Sequence, residues 1–223
     1  EMFVAAMVAA AFIETDAEGI VTAGLNEIPA NSRLAEAIRD TQAWCREELA
    51  GRAKNWENVW DKINERYGHY HGVHTINNAA LVVLGIYFGI NDFEQGIVVT
   101  TLAGWDTDCN AATVGSILGV RLGASALPEK WTGVLNDRLL SAVRDESDNK
   151  LSDLATRTLS VAKTILITSD KDDKATLTGE ASGIWELETG WGVHLLKLSE
   201  GTVYLIDDNL GPVSYTHLRA HET

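Results

Sequence analysis

Proline is scarce, with 3 in 223 residues, and cysteine scarcer still at 2. With 45% hydrophobic against 22% charged residues, so little proline excludes a disordered or low-complexity chain. The two cysteines, Cys45 and Cys109, build no disulfide framework and read as free thiols of a reducing, cytoplasmic compartment. Basic charge is short as well: 18 Lys plus Arg stand against 32 Asp plus Glu, a net charge of -14. No basic face can be assembled against that field, so nucleic-acid backbone binding is not expected. The longest apolar run, Ala79 to Ile90, is too short to cross a bilayer. Glu1 to Ile13 are apolar but lack the basic leader and cleavage site of a secretory signal. No membrane partner is expected. A chain of this length can bury about 70% of its unfolded surface, which makes a core without staples.

What is present reads mainly as helix. Met2 to Glu14 is Ala-rich and continuous, and Pro29, Asn31 and Ser32 break and cap before Arg33–Leu49. Trp56–Tyr67 repeats the pattern and Gly68 closes it. His74–Ile90, then Asp92–Ala103 with Asp92 as N-cap, then Asp108–Leu122 follow. Asn136–Val143 and Leu151–Ile167 complete the helical set, residues 1–168. After a charged linker, Ser169–Lys174, the pattern turns to β: Trp185–Leu187, Val193–Leu198 and Thr202–Ile206, the last two joined by Ser199-Glu200-Gly201 as a hairpin. A lone hairpin is marginal, so 175–212 is expected to open an incomplete β domain. Residues 213–223 resemble a translated sequencing adapter and are set aside as a non-native tail. A chain that opens inside an apolar helix and ends so is expected to be an internal piece of a longer protein.

The densest polar cluster of the helical region is Gly104-Trp105-Asp106-Thr107-Asp108-Cys109-Asn110. Asp106 and Asp108 lie one residue apart at a loop-to-helix junction, where two carboxylates can turn the same way toward one hard cation. No Lys or Arg is adjacent, the nearest being Arg121, so a divalent ion is the economical counter-charge. The plainer reading is helix capping, since Asp, Thr and Asn satisfy the first N–H groups and favour the dipole. Gly115, Gly119 and Gly123 recur at spacings of four, and Gly85 and Gly89 make a shorter stripe. Each helical Gly costs about 1 kcal/mol against Ala, so such stripes imply a close neighbouring backbone that would lock the Asp-bearing helix start.

The run Gly104 to Gly115, with Gly119, Gly123, Leu127-Pro128 and Trp131 beyond it and His74-Thr75-Ile76-Asn77-Asn78 upstream, resembles the C-terminal signature of the ADP-ribosylglycohydrolase family. That family takes in the dinitrogenase-reductase-activating glycohydrolase and the ADP-ribosyl-acceptor hydrolases. The resemblance covers the helical region to about residue 165. It implies a mainly α, orthogonal helical bundle with two Mg2+ or Mn2+ ions at the mouth of an ADP-ribose cleft. It places metal ligands on Asp106 and Asp108, and a third on Cys109, where the family carries Thr or Ser. Thiols are soft donors and match Mg2+ poorly. Gly104 and Trp105 fall on a Gly-Gly pair of the family beside the ribose, and Thr107 follows. His74 and Asn77, at a helix start, are the further substrate contacts; the plain alternative for His74 is capping and loop packing.

The family's remaining ligands lie in a Thr-Asp-Asp motif, with an acid that positions the attacking water. No such motif precedes Asp106, and Glu14 and Asp16 lie in a different context. The fragment is therefore expected to be inactive by itself. The parent is expected to hydrolyse an ADP-ribosyl glycosidic bond and release ADP-ribose from a modified protein or small molecule. The alternative is a non-catalytic ADP-ribose-binding or structural member of the same fold. His69 and His71 lack a carboxylate at ligand spacing, while Trp185 and Trp191 flank a Thr-Gly pair that could face carbohydrate.

Overall fold

The computed structural model describes residues 2–168, with side chains to 163, and the backbone of strands 176–179, 184–189, 192–199 and 202–207. The linker 169–174, the turn at 200–201, Trp191 and the tail 213–223 lie outside the described residues, as does the side chain of Trp185. The chain divides into two units, Glu1–Leu122 and Gly123–Thr223.

The first unit is built on the apolar run noted above. It forms α5 (Thr75–Gly89), whose residues from Ile76 to Gly89 are buried almost without exception. A helix that is apolar all round must be covered on every side. Here α2 (Ala17–Asn26), α3 (Arg33–Ala50), α4 (Trp56–Tyr67), α6 (Phe93–Leu102) and α7 (Thr107–Leu122) all pack against it. Ile38, Ile63, Leu81, Leu84, Ile86, Ile117 and Leu118 form the fully buried centre. At about 1.5–3 kcal/mol per large side chain, this burial is the main force that assembles the bundle. Among the described residues no helix is long and apolar enough to cross a membrane.

The helix starts follow their caps. Ser32 Oγ accepts from the Ala35 N–H at 3.1 Å, Asn55 Oδ1 from Glu57 at 3.1 Å, and Asp92 Oδ1 from Gln95 at 3.0 Å. Two differences from the sequence reading appear at the N-terminal end. α1 (Met2–Ala10) does not run to Glu14: Phe12 and Ile13 bond back to Ala9 and Ala10 in a tighter turn. The chain then re-enters helix as α2, capped by Asp16, whose Oδ1 accepts from Gly19 N–H at 2.8 Å. Gly24 of α2 lets Phe3 of α1 lie close; a Cβ there would sit 2.6 Å from Phe3 Cδ2.

Close helix approach falls on glycines other than those of the longer stripe. A Cβ on Gly85 would collide with Thr100 Oγ1, one on Gly89 with Gly96 Cα, and one on Gly96 with Leu118 Cδ1. These seat α5 against α6 and α7. Gly115 is moderately tight, 3.1 Å from Ile97 Cδ1, but Gly119 faces open space. Gly123 lies past the end of α7 with φ +81°, where glycine serves the backbone and not helix packing.

The second unit corrects one expected element. Asn136–Val143 is not a helix. Asn136 and Asp137 take left-handed backbone (φ +49° and +52°), which stops the preceding short turns and turns the chain into β1 (Arg138–Leu140). β1 pairs antiparallel with β2 (Asp148–Lys150), Leu139 opposite Asn149, and Arg138 makes a two-pronged bond to Asp148 at 2.8 and 2.7 Å. The short α8 (Glu129–Thr132) precedes this hairpin and α9 (Leu151–Thr168) follows it. β3 (Thr176–Gly179), β4 (Ile184–Thr189), β5 (Gly192–Ser199) and β6 (Thr202–Asp207) form an antiparallel sheet in that order. β5 and β6 pair as the expected hairpin, with Ser199 in the strand opposite Thr202 and not in the turn; β3 has no counterpart in the sequence reading.

Candidate metal centre

The loop between α6 and α7 is held from two sides. Trp60 Nε1 of α4 donates to the Ala103 carbonyl at 2.7 Å, fixing the end of α6. Asn78, buried in the first turn of α5, does the rest. Its Oδ1 accepts from the Asp106 N–H at 3.1 Å and from Asn110 Nδ2 at 2.7 Å. Its Nδ2 donates to the Gly72 and His74 carbonyls, both at 2.8 Å. One side-chain amide thus ties the His71–His74 loop, the entry to α5 and the start of α7 into one network.

Between those ties the backbone is unusual. Gly104 and Trp105 both take positive φ, +89° and +54°. For Gly104 this carries no penalty, and no atom lies within 4 Å of where a Cβ would be, so the loop is open there. For Trp105 a left-handed backbone costs about 1–2 kcal/mol, set against the packing of its ring on the core. The resemblance places a second glycine at this position, and the positive φ is a physical reason for one.

The double bend delivers three donors to one place. One oxygen of Asp106, one of Asp108 and Cys109 Sγ all lie within 4.8 Å of one another. That is about the span of a single coordination sphere, roughly twice a metal–ligand bond of about 2.0–2.3 Å. Asp106 is half-buried, and Asp108 and Cys109 are exposed. The Asp106 carboxylate beside it, and to a lesser degree that of Asp108, holds the Cys109 thiol above its usual range.

The capping alternative can be compared with the true caps. Asp106 supplies its carbonyl to Asn110 N–H at 2.9 Å, as any residue before a helix does. Among the described residues, neither the Asp106 nor the Asp108 carboxylate accepts a backbone N–H, unlike those of Asp16 and Asp92. Nor does either carboxylate take part in an ion pair among those residues. Arg121 is engaged elsewhere, its Nε and Nη2 donating to the Thr15 carbonyl at 3.1 and 2.8 Å. Two carboxylates and a thiol with no basic partner form a donor set that suits a divalent ion.

The other sequence-derived residues are placed as follows. Thr107 is half-buried and opens α7. His74 caps α5, its Nδ1 accepting from Ile76 N–H at 3.2 Å, and its ring stacks on Tyr70 with centroids 4.4 Å apart. Asn77 is fully buried; its Nδ2 donates to the His71 carbonyl at 3.3 Å, and its Oδ1 has no hydrogen-bond partner. It buttresses the His71–His74 loop from beneath. The His69 ring lies tilted against Tyr70, centroids 4.2 Å apart, and neither it nor His71 belongs to the donor cluster. Asn78 and Asn110 stand within the sequence motifs, but their role as ties, and that of Trp60, is not legible there: partners 28 to 43 positions away cannot be read from spacing.

The sequence profile of the ADP-ribosylglycohydrolase family matches residues 1–164, which contain the whole cluster. No curated protein and no solved structure matches the chain. With a helical bundle in place and a profile match over most of its length, the chain belongs to the ADP-ribosylglycohydrolase family.

Proposed function

We propose that this chain carries part of the centre of a metal-dependent hydrolase that cleaves an ADP-ribosyl glycosidic bond, releasing ADP-ribose from a modified protein or small molecule. The observation that carries the reading is the convergence of Asp106, Asp108 and Cys109 within 4.8 Å, inside the family-matched region and with no ion-pair partner among the described residues. Asp106 and Asp108 would hold Mg2+ or Mn2+, two ions in the complete site. Such ions supply Lewis acidity, ordering ribose hydroxyls and a water and offsetting charge as the anomeric bond breaks.

The chain's own residues do the positioning. Asn78 and Trp60 fix the loop, so the carboxylates need little reorganisation to receive a cation. Gly104 leaves its side of the loop open for a sugar to approach the backbone. Trp105, Thr107 and His74 would line the approach, and Asn77 would support the loop that bears His74.

Calorimetric titration of the chain with Mn2+, then with ADP-ribose, tests this. The wild type should bind Mn2+, and the Asp106→Asn/Asp108→Asn double variant should lose about 100-fold or more in affinity, since even supporting residues around a metal are worth 10–100-fold. Its helical circular dichroism should persist and its thermal midpoint hold or rise, because two uncompensated carboxylates are gone. No Mn2+ heat in the wild type, with a loss of stability in the variant, would restore the capping interpretation.

A further inference from the structure

The third donor is where this site departs from an all-oxygen one. Asp106 and Asp108 are hard donors suited to Mg2+, Mn2+ or Ca2+, whereas a cysteine sulfur suits softer ions. Cys109 follows Asp108 in the first turn of α7, and its Sγ lies within 4.8 Å of one oxygen of Asp106 and one of Asp108. That is a spacing one ion can bridge. Cys109 is exposed, so an ion can reach it, and it is not in a disulfide. The chain's other cysteine, Cys45, is fully buried in α3 and is no part of the cluster.

From this geometry we propose that Cys109 Sγ is a direct ligand and that it shifts the selectivity of the Asp106–Asp108 site away from Mg2+ toward thiophilic divalent ions such as Co2+ and Zn2+. The inference rests on the metal reading above and adds to it the class of ion. On binding, the thiol proton leaves to solvent, and a metal–thiolate bond takes the place of the S–H bond. No electron transfer is involved. Greater affinity for Zn2+ than for Mg2+ would by itself prove nothing, because most protein sites share it. What identifies the sulfur is its spectrum and the effect of its removal.

The test is Co2+ and Mg2+ titration of the reduced full chain, of Cys109→Ser and of Asp106→Asn/Asp108→Asn, followed by ultraviolet absorption and calorimetry. The wild type is expected to show a thiolate-to-cobalt charge-transfer band that saturates with the calorimetric isotherm. Cys109→Ser should lose the band and bind Co2+ about 10-fold or more weakly. Its Mg2+ affinity should hold or rise, since an oxygen now stands in place of the sulfur. Zn2+ should displace Co2+ and bleach the band. If Co2+ binds with no such band, or Cys109→Ser leaves the Co2+-to-Mg2+ preference unchanged, the proposed role of Cys109 is overturned while the Asp pair stands. If neither Co2+ nor Mg2+ binds the wild type, the metal reading fails and the role of Cys109 with it.

Discussion

At the scale of single residues, Asn78 does more for the site than any residue expected to touch a ligand. It is buried, and its side chain bonds the Asp106 N–H, the Asn110 amide, the Gly72 carbonyl and the His74 carbonyl, the last of which also accepts from the Asn78 backbone N–H at 3.3 Å. Leaving such groups unpaired costs about 1–3 kcal/mol each before relaxation. Asn78→Ala should therefore lower the unfolding free energy by about 2–3 kcal/mol in urea titration. Asn78→Asp should also destabilise, because a carboxylate cannot donate to the two carbonyls. An unchanged denaturation midpoint would show that the network is not a restraint on the Asp106 loop. By contrast, His74 holds only the start of its own helix, its Nδ1 accepting from Ile76 N–H.

At the scale of elements, glycine sorts into two kinds that spacing does not distinguish. Gly89 abuts Gly96 backbone to backbone, so a methyl group has nowhere to go without moving α5 from α6. Overpacking of that sort costs about 1–3 kcal/mol, and Gly89→Ala should lower stability by that amount. Gly119 sits in the last turn of α7 with nothing within 4 Å of its missing Cβ. Gly119→Ala should raise stability by up to about 1 kcal/mol through backbone entropy and helix propensity. The two variants, compared in thermal melts, should move in opposite directions. The sequence reading linked both stripes to close approach; only the shorter one has it throughout. Element boundaries were otherwise legible where a cap was written in the sequence, as at Ser32, Asn55 and Asp92. α2 is hard to read from sequence because two glycines break up its short run, and Asn136–Val143 reads wrongly as helix because consecutive left-handed residues leave no periodic signature.

At the scale of the whole molecule, acidity decides how the protein responds to pH. Glu47, Asp137, Glu146 and Asp148 are held below the usual carboxylate range, chiefly by hydrogen bonds from Lys62, Ser152, Arg157 and Arg138 respectively. A folded-state pKa below the unfolded one means stabilisation that is complete above the unfolded value, about 4, and fades as pH falls through the lowered values. Protonation also relieves the self-repulsion of a net charge of -14, which acts in the opposite sense. That repulsion is long-range, and at 0.15 M salt it is screened beyond about 8 Å, whereas the paired carboxylates are in contact. In such a buffer the thermal midpoint should therefore fall on acidification from about pH 5 to about pH 3. A midpoint that rises steadily over that interval would show that self-repulsion outweighs the pairs.

The sequence by itself determined that the molecule is a helical bundle, because a continuous apolar run between polar, capped segments has to be covered by its neighbours. It determined too which carboxylates would stand together, because Asp106 and Asp108 are nearly adjacent in the chain. What only the tertiary structure decided is what fixes them. The Trp60 and Asn78 hydrogen bonds join segments far apart in the chain, and the collisions that require Gly85, Gly89 and Gly96 arise only once α5, α6 and α7 are packed. Hydrophobic periodicity records which side of an element is buried; it does not record which polar atom on another element will meet it there.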